Sequence, residues 1–180
     1  SNFGADSLSA IVFAGGYFVA VGTTGKISYD ANGAGTWTAA TSNTGRSLYS
    51  ISHNGTSFLA CAYGEVMVSS TDGITWTRKG TKGDGATANC IAYGNSTVVL
   101  GGNTGEISTS ADGGVTWTQQ TSGFSTSGIY ALVWGTKWVA CGAADTIATS
   151  TDGSAWTAYT GTLGASDIAR ALTYGNGVYV

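Results

Sequence analysis

A tight Asp-Gly or Asn-Gly corner recurs along this chain with a pitch of 40 residues. The four copies read Asp30-Ala31-Asn32-Gly33, Ser70-Thr71-Asp72-Gly73, Ser110-Ala111-Asp112-Gly113 and Ser150-Thr151-Asp152-Gly153. A tryptophan follows each corner, at Trp37, Trp76, Trp117 and Trp156. Upstream, an aromatic or His keeps the same register at Phe13, His53, Tyr93, Trp134 and Tyr174. A Gly/Asn turn comes next, then an apolar run beginning at Phe18, Phe58, Val98, Trp138 and Val178. A unit of this size cannot bury its own apolar face, so it must stack on its neighbours.

Each unit holds four short β patterns bounded by turn residues. In the third these are Cys90-Ile91-Ala92-Tyr93, Thr97-Val98-Val99-Leu100, Ile107-Ser108-Thr109-Ser110 and Thr116-Trp117-Thr118-Gln119. Apolar residues alternate with period 2 rather than 3.6, which excludes helical solenoids. Four antiparallel strands per unit predict an all-β fold, one β-propeller domain over residues 1–180. Its blades are expected at 8–47, 48–87, 88–128 and 129–168, with a half blade at 169–180. Three completions of that half blade stand open: a five-bladed ring with a thin last blade, the remainder of a longer chain in a larger propeller, or a second copy. An incomplete blade leaves an apolar edge that invites association.

The corners have a structural job. The Asp or Asn oxygen accepts backbone N–H groups ahead of it, and Gly supplies the positive φ of the turn. The tryptophan lies between blades, its N–H finding a carbonyl. The Ser-x-Asp-Gly…Thr-Trp corners resemble Asp-box (BNR) repeats, which occur in sialidases, other glycan-active propellers and non-enzymatic ones. The phrase from Ile91-Ala92-Tyr93-Gly94-Asn95 to Asp112-Gly113 is similar to repeats of tailed-phage virion proteins and large bacterial surface proteins. The resemblance implies structural corners, a ligand face opposite them, and a place on a virion or cell surface. The first corner departs from it, with Asp30 for Ser and Asn32 for Asp, and the turn is expected to survive.

Composition narrows the function. Charged residues are 9% of the chain, against roughly 25% in average proteins. With 7 Lys+Arg and a net charge of −3, phosphate-backbone binding to nucleic acid is not expected. No apolar run approaches the roughly 20 residues of a membrane span. The chain starts at Ser1 without a signal-peptide pattern, so any targeting segment is absent or already removed. Cys61, Cys90 and Cys141 fall on separate strands and read as buried free thiols. His53, the single His, sits in the aromatic column and reads as packing, and acidic residues are too scattered to suggest a metal. No cofactor is expected.

One column carries the binding candidates: Ser9, Tyr49, Asn89, Tyr130 and Arg170, near the starts of the inner strands. It lies on the face of the variable loops 41–47, 80–87, 122–128 and 161–168, away from the corners. Tyr, Asn and Arg around a channel mouth suit a neutral, hydroxyl-rich ligand such as a glycan. The alternative is packing, with Tyr49 and Tyr130 filling gaps between blades and Arg170 paired to a loop carboxylate. Phe124, Arg46, Lys82, Asp84 and Asp167 are weaker candidates, read mainly as solvated loop residues. Glu65 and Glu106 occupy equivalent loops of neighbouring blades and read as exposed solubilising charges, not a catalytic pair. Arg78 is placed at the rim. The chain is therefore expected to be a non-enzymatic structural or recognition module, with a glycan or a surface or virion protein as partner. A fragment of a sialidase-like or other glycoside hydrolase propeller and a protein-binding scaffold are the alternatives.

Overall fold

The computed structural model describes residues 3–65, 67–79, 87–160 and 167–180. Blade 1 comprises β1 (Leu8–Ala14), β2 (Tyr17–Gly22), β3 (Lys26–Ala31) and β4 (Thr38–Thr41). Blade 2 comprises β5 (Leu48–His53), β6 (Phe58–Ala62), β7 (Met67–Ser70) and β8 (Thr77–Lys79). Blade 3 comprises β9 (Ala88–Gly94), β10 (Thr97–Gly102), β11 (Ile107–Ser110) and β12 (Thr118–Gln120). Blade 4 comprises β13 (Ile129–Trp134), β14 (Trp138–Gly142), β15 (Ile147–Ser150) and β16 (Thr157–Tyr159). A hairpin, β17 (Tyr174–Gly175) and β18 (Val178–Tyr179), ends the chain. Within each blade the strands pair antiparallel in sequence order, and β1, β5, β9 and β13 lie side by side along the inner edge. The all-β propeller architecture is the one the repeat requires, as four blades and a two-stranded fragment.

Burial explains the strand patterns. The second strand of a blade is covered on both faces, so Phe58–Ala62 is buried throughout and reads as a continuous apolar run. In blades 2 to 4 the outer strand begins after its tryptophan because the indole turns into the corner: its N–H donates to a corner carbonyl. Those bonds are Trp76 to Gly73 (3.1 Å), Trp117 to Gly114 (3.2 Å) and Trp156 to Gly153 (2.7 Å). Three apolar clusters, one at each blade junction, form the core. The first joins Val19, Val21 and Ile27 of blade 1 to Leu48, Phe58, Val68 and Trp76 of blade 2. The others pack Leu59 and Met67 with Ile91 and Val98, and Val99 and Ile107 with Ile129 and Trp138.

Two kinds of glycine bring the blades close. Corner Gly73 has φ +74 and faces Val19 of the preceding blade; corner Gly153 faces Val99 in the same way. Gly94, at the end of an inner strand, lies directly under the Trp134 ring of the next blade, and a Cβ there would collide with it. Gly135 receives Tyr174 likewise, which docks the final hairpin on blade 4. The Tyr179 hydroxyl reinforces that docking, accepting from Lys137 N (2.9 Å) and donating to Lys137 O (2.8 Å).

The first corner is rebuilt rather than merely tolerated. Asp30, in place of the usual Ser, is 3% exposed and takes the carboxylate's job, accepting from Gly35 N (2.9 Å) and Thr36 N (3.2 Å). Asn32 contributes its left-handed backbone (φ 55), so the role expected of its side chain passes to position 30. Elsewhere Asp72 accepts from Ile74 N and Thr75 N, Asp112 from Val115 N and Thr116 N, and Asp152 from Ser154 N and Ala155 N.

The outward face of blade 1 stays uncovered among the described residues. Ile11 is 51% exposed, whereas its equivalents Ile51, Ile91 and Leu132 are 8%, 4% and 9% exposed under a preceding blade. Phe13 is 55% exposed on the same face. The terminal hairpin packs on blade 4.

Two outcomes follow from this packing. Gly94→Ala, which drives a methyl into Trp134, is expected to cost about 1–3 kcal/mol in urea unfolding. Gly175→Ala is the internal control: it ends the corresponding strand of the hairpin, with open space around it, and should be close to neutral. The N–H of Thr75, then that of Ile74 and the Ser70 hydroxyl, hold the Asp72 pKa down at about 2 from an ordinary 3.8. Hydrogen bonds lower Asp112 and Asp152 too. A folded-state pKa below the unfolded value gives stability that is complete above the unfolded pKa and lost as pH falls through the folded one. Thermal melting should therefore decline as pH falls from 3.8 towards about 2, and less steeply in Asp72→Asn.

Candidate binding site at the channel mouth

Every full blade carries a one-residue bulge at the same place in its inner strand. Leu8 pairs with Gly22 and Ala10 with Val21, which leaves Ser9 outside the ladder. The skip falls on Tyr49 between Leu48 and Ser50, on Asn89 between Ala88 and Cys90, and on Tyr130 between Ile129 and Ala131. A bulge bends its strand and re-aims the extra side chain. The skipped residues are the column singled out by the repeat. With Arg170 they line one cavity of about 500 Å3 at the axis, alongside Ile11, Ile51, Ile91 and Leu132.

The lining combines polar side chains with apolar ones. The Arg170 guanidinium sits 5.3 Å from the centre of the Tyr130 ring, so the expected carboxylate partner is replaced by an aromatic face. Among the described residues Arg170 forms no ion pair, and no carboxylate lines the cavity. The Tyr49 ring is 37% exposed. Asn89 donates through Nδ2 to Ile129 O (3.1 Å), and Ser50 Oγ accepts from Ile91 N (3.3 Å), tying β9 to β13 and β5 to β9. These bonds hold the mouth in shape before any ligand arrives. Cys90 lies in the wall, its thiol donating to Gly101 O (3.7 Å) and Ile129 O (3.8 Å).

Other candidates fall elsewhere. Phe124 is not a solvated loop residue: it is 2% exposed in the junction of blades 3 and 4. Glu106 is not an exposed charge either. It is 7% exposed, accepts from Thr104 N (2.9 Å) and Thr104 Oγ1 (2.7 Å), and occupies space that a side chain at Gly102 would need. The Asp167 carbonyl accepts from Asp145 N (3.2 Å), so that residue's backbone is structural. Arg46 and Arg78 share a separate cavity away from the axis. Lys82, Asp84 and the Glu65 side chain lie outside what the structure describes, as do parts of the loops 80–87 and 161–168. Neither the bulges nor the two-arginine cavity left a local signal in the sequence, because both depend on which backbones pair.

Burial pushes the Cys61 thiol up to about 12 and the Cys141 thiol up to about 11, and raises Cys90 strongly. All three cysteines are free and buried. The folded protein is thus expected to resist an aromatic disulfide reagent at pH 8, and to release three equivalents of thiol on unfolding.

Comparison with known proteins agrees with this architecture. The family model described as a DUF6242 beta propeller domain matches residues 2–139. No curated protein matches the sequence. Among solved structures, YCF48 bound to D1 peptide aligns at 19% identity and TM-score 0.69, over 87% of this chain and 54% of that one. YCF48 from Cyanidioschyzon merolae aligns at 18% identity and TM-score 0.69, over 93% of this chain and 59% of that one. The WD40 beta propeller domain of Doa1 aligns at 13% identity and TM-score 0.73, over 96% of this chain and 60% of that one. The chain therefore spans between half and two thirds of the length of these structures, and the likeness is one of fold.

Proposed function

This chain belongs to the DUF6242 beta propeller domain family, and from that premise we propose that it is a non-enzymatic binding module that receives an extended segment of another protein at the mouth of its channel. The observation that carries this reading is the bulge shared by four inner strands, which turns Ser9, Tyr49, Asn89 and Tyr130 towards one cavity with Arg170. Aromatic faces, an amide, a hydroxyl and one guanidinium offer stacking and directed hydrogen bonds to a peptide backbone and its side chains. The structural neighbour bound to D1 peptide supports a propeller of this kind as a peptide receptor. The commitment of Glu106 to Thr104, and the separation of Arg170 from the Arg46–Arg78 cavity, weigh against glycosidase chemistry.

Glycan recognition is the second reading, favoured by the exposed Tyr49 ring and the Tyr130–Arg170 stack. Display on a virion or cell surface belongs with it, supported by the resemblance of the repeats and a chain with only 9% charged residues.

Peptide-array and glycan-array screening of the 180-residue chain separates the two. Peptide ligands are expected, with affinity falling about tenfold or more in Tyr130→Ala and in Arg170→Ala. Glu106→Gln should bind as the parent does. Glycan hits without peptide hits would select the second reading, and peptide binding indifferent to both mouth substitutions would refute the mouth as the site. Turnover of a fluorogenic glycoside would overturn the non-enzymatic assignment.

A further inference from the structure

A second cavity, independent of the mouth, opens between the loop leaving β4 and the turn between β6 and β7. It has a volume of about 470 Å3 and is lined by Asn43, Thr44, Gly45, Arg46, Gly64 and Arg78. Two of the chain's three arginines therefore share one small space in a protein of net charge −3. Among the residues whose side chains the structure describes, no carboxylate lines it, and neither Arg46 nor Arg78 forms an ion pair.

The walls are held in place by the fold. Asn43 donates through Nδ2 to Trp76 O (2.7 Å), anchoring the loop to the blade 2 corner. Tyr63 N donates to Ser47 O (3.0 Å), joining the two turns that frame the cavity. Arg46 N donates to Thr44 Oγ1 (3.1 Å), and Gly25 packs so closely on the Thr44 carbonyl that no side chain fits there. The Arg46 guanidinium lies over the Tyr63 ring, 5.5 Å from its centre, and a Cβ at Gly64 would sit 3.7 Å from Nη1. One face of the guanidinium is thus occupied by an aromatic ring, which restrains a flexible side chain before binding. Arg78 reaches the same space from β8.

We propose that this cavity is an oxyanion site for a phosphate or sulfate group. A carboxylate has two oxygens and is satisfied by a single bidentate arginine. Two arginines lining one space instead match an anion with three or four oxygens. The anion would also balance two cations beside which the described side chains place no carboxylate. The group arrives either as the free ion or as an ester on a larger ligand, and the same arginines read both.

Calorimetric titration of the full chain with inorganic phosphate, inorganic sulfate, phenyl phosphate and phenyl sulfate, at constant ionic strength, tests the site. Saturable binding is expected, weakened about tenfold or more in Arg46→Gln and in Arg78→Gln. Lys137→Gln, which removes a remote cation, should leave it intact. Both arginines are exposed, so circular dichroism should show the variants folded. Tighter binding of the esters assigns the source to a group carried on a larger ligand; equal binding assigns it to the free anion. The proposal fails if none of the four probes saturates, or if binding survives both substitutions. Because the mouth is a separate cavity, peptide binding there should persist in Arg46→Gln, so failure of one site leaves the other standing.

Discussion

The face-to-face packing of one blade on the next is the constraint from which the rest of this protein follows. Strands of two to seven residues make sheets too small to stand alone, and no disulfide among the free cysteines reinforces them. Each blade must present apolar side chains on both faces, and each junction must close without voids. Large rings therefore meet glycines across the junction. Trp134 settles on Gly94, Tyr174 on Gly135, and the corner Gly73 admits Val19. The corner tryptophans add a second layer, since an indole whose N–H is held by its own corner can lie between sheets without losing a hydrogen bond.

This packing also makes the channel. Because every inner strand enters at the same height, equivalent positions converge at the axis, and the shared bulge points one residue of each towards it. The repeat is strict where packing is at stake and loose where it is not. The corners keep Ser, Asp, Gly and Trp with few departures, while the bulge column reads Ser9, Tyr49, Asn89, Tyr130 and Arg170. Variation on an invariant frame lets a propeller keep its shape and change what it binds. The loop face accommodates the second cavity by the same logic, since loop lengths and residues can vary there without disturbing the sheets.

The sequence made the architecture legible because its signals were periodic. The 40-residue pitch, the alternation within each strand and the Asp-Gly corners each recur, so an error in one unit is corrected by the others. Departures from the period were harder to read. Asp30 took over the first corner because a carboxylate two residues earlier reaches the same backbone N–H groups, a matter of distances in space. Phe124 is an aromatic in a variable loop, yet that loop folds into the junction of blades 3 and 4. Glu106 is charged in a turn, yet Gly102 leaves room for it to turn inward onto Thr104.

By itself, then, the chain's sequence determined the unit, its strand order, the structural role of its corners and the column that faces the axis. All of these rest on local chemistry repeated at constant spacing. Strand pairing and blade stacking in space set the column on bulges, laid Arg170 on Tyr130, and brought Arg46 and Arg78 to one cavity. Those relations join residues tens of positions apart, and they exist only once strand register and blade stacking have set the distances between them.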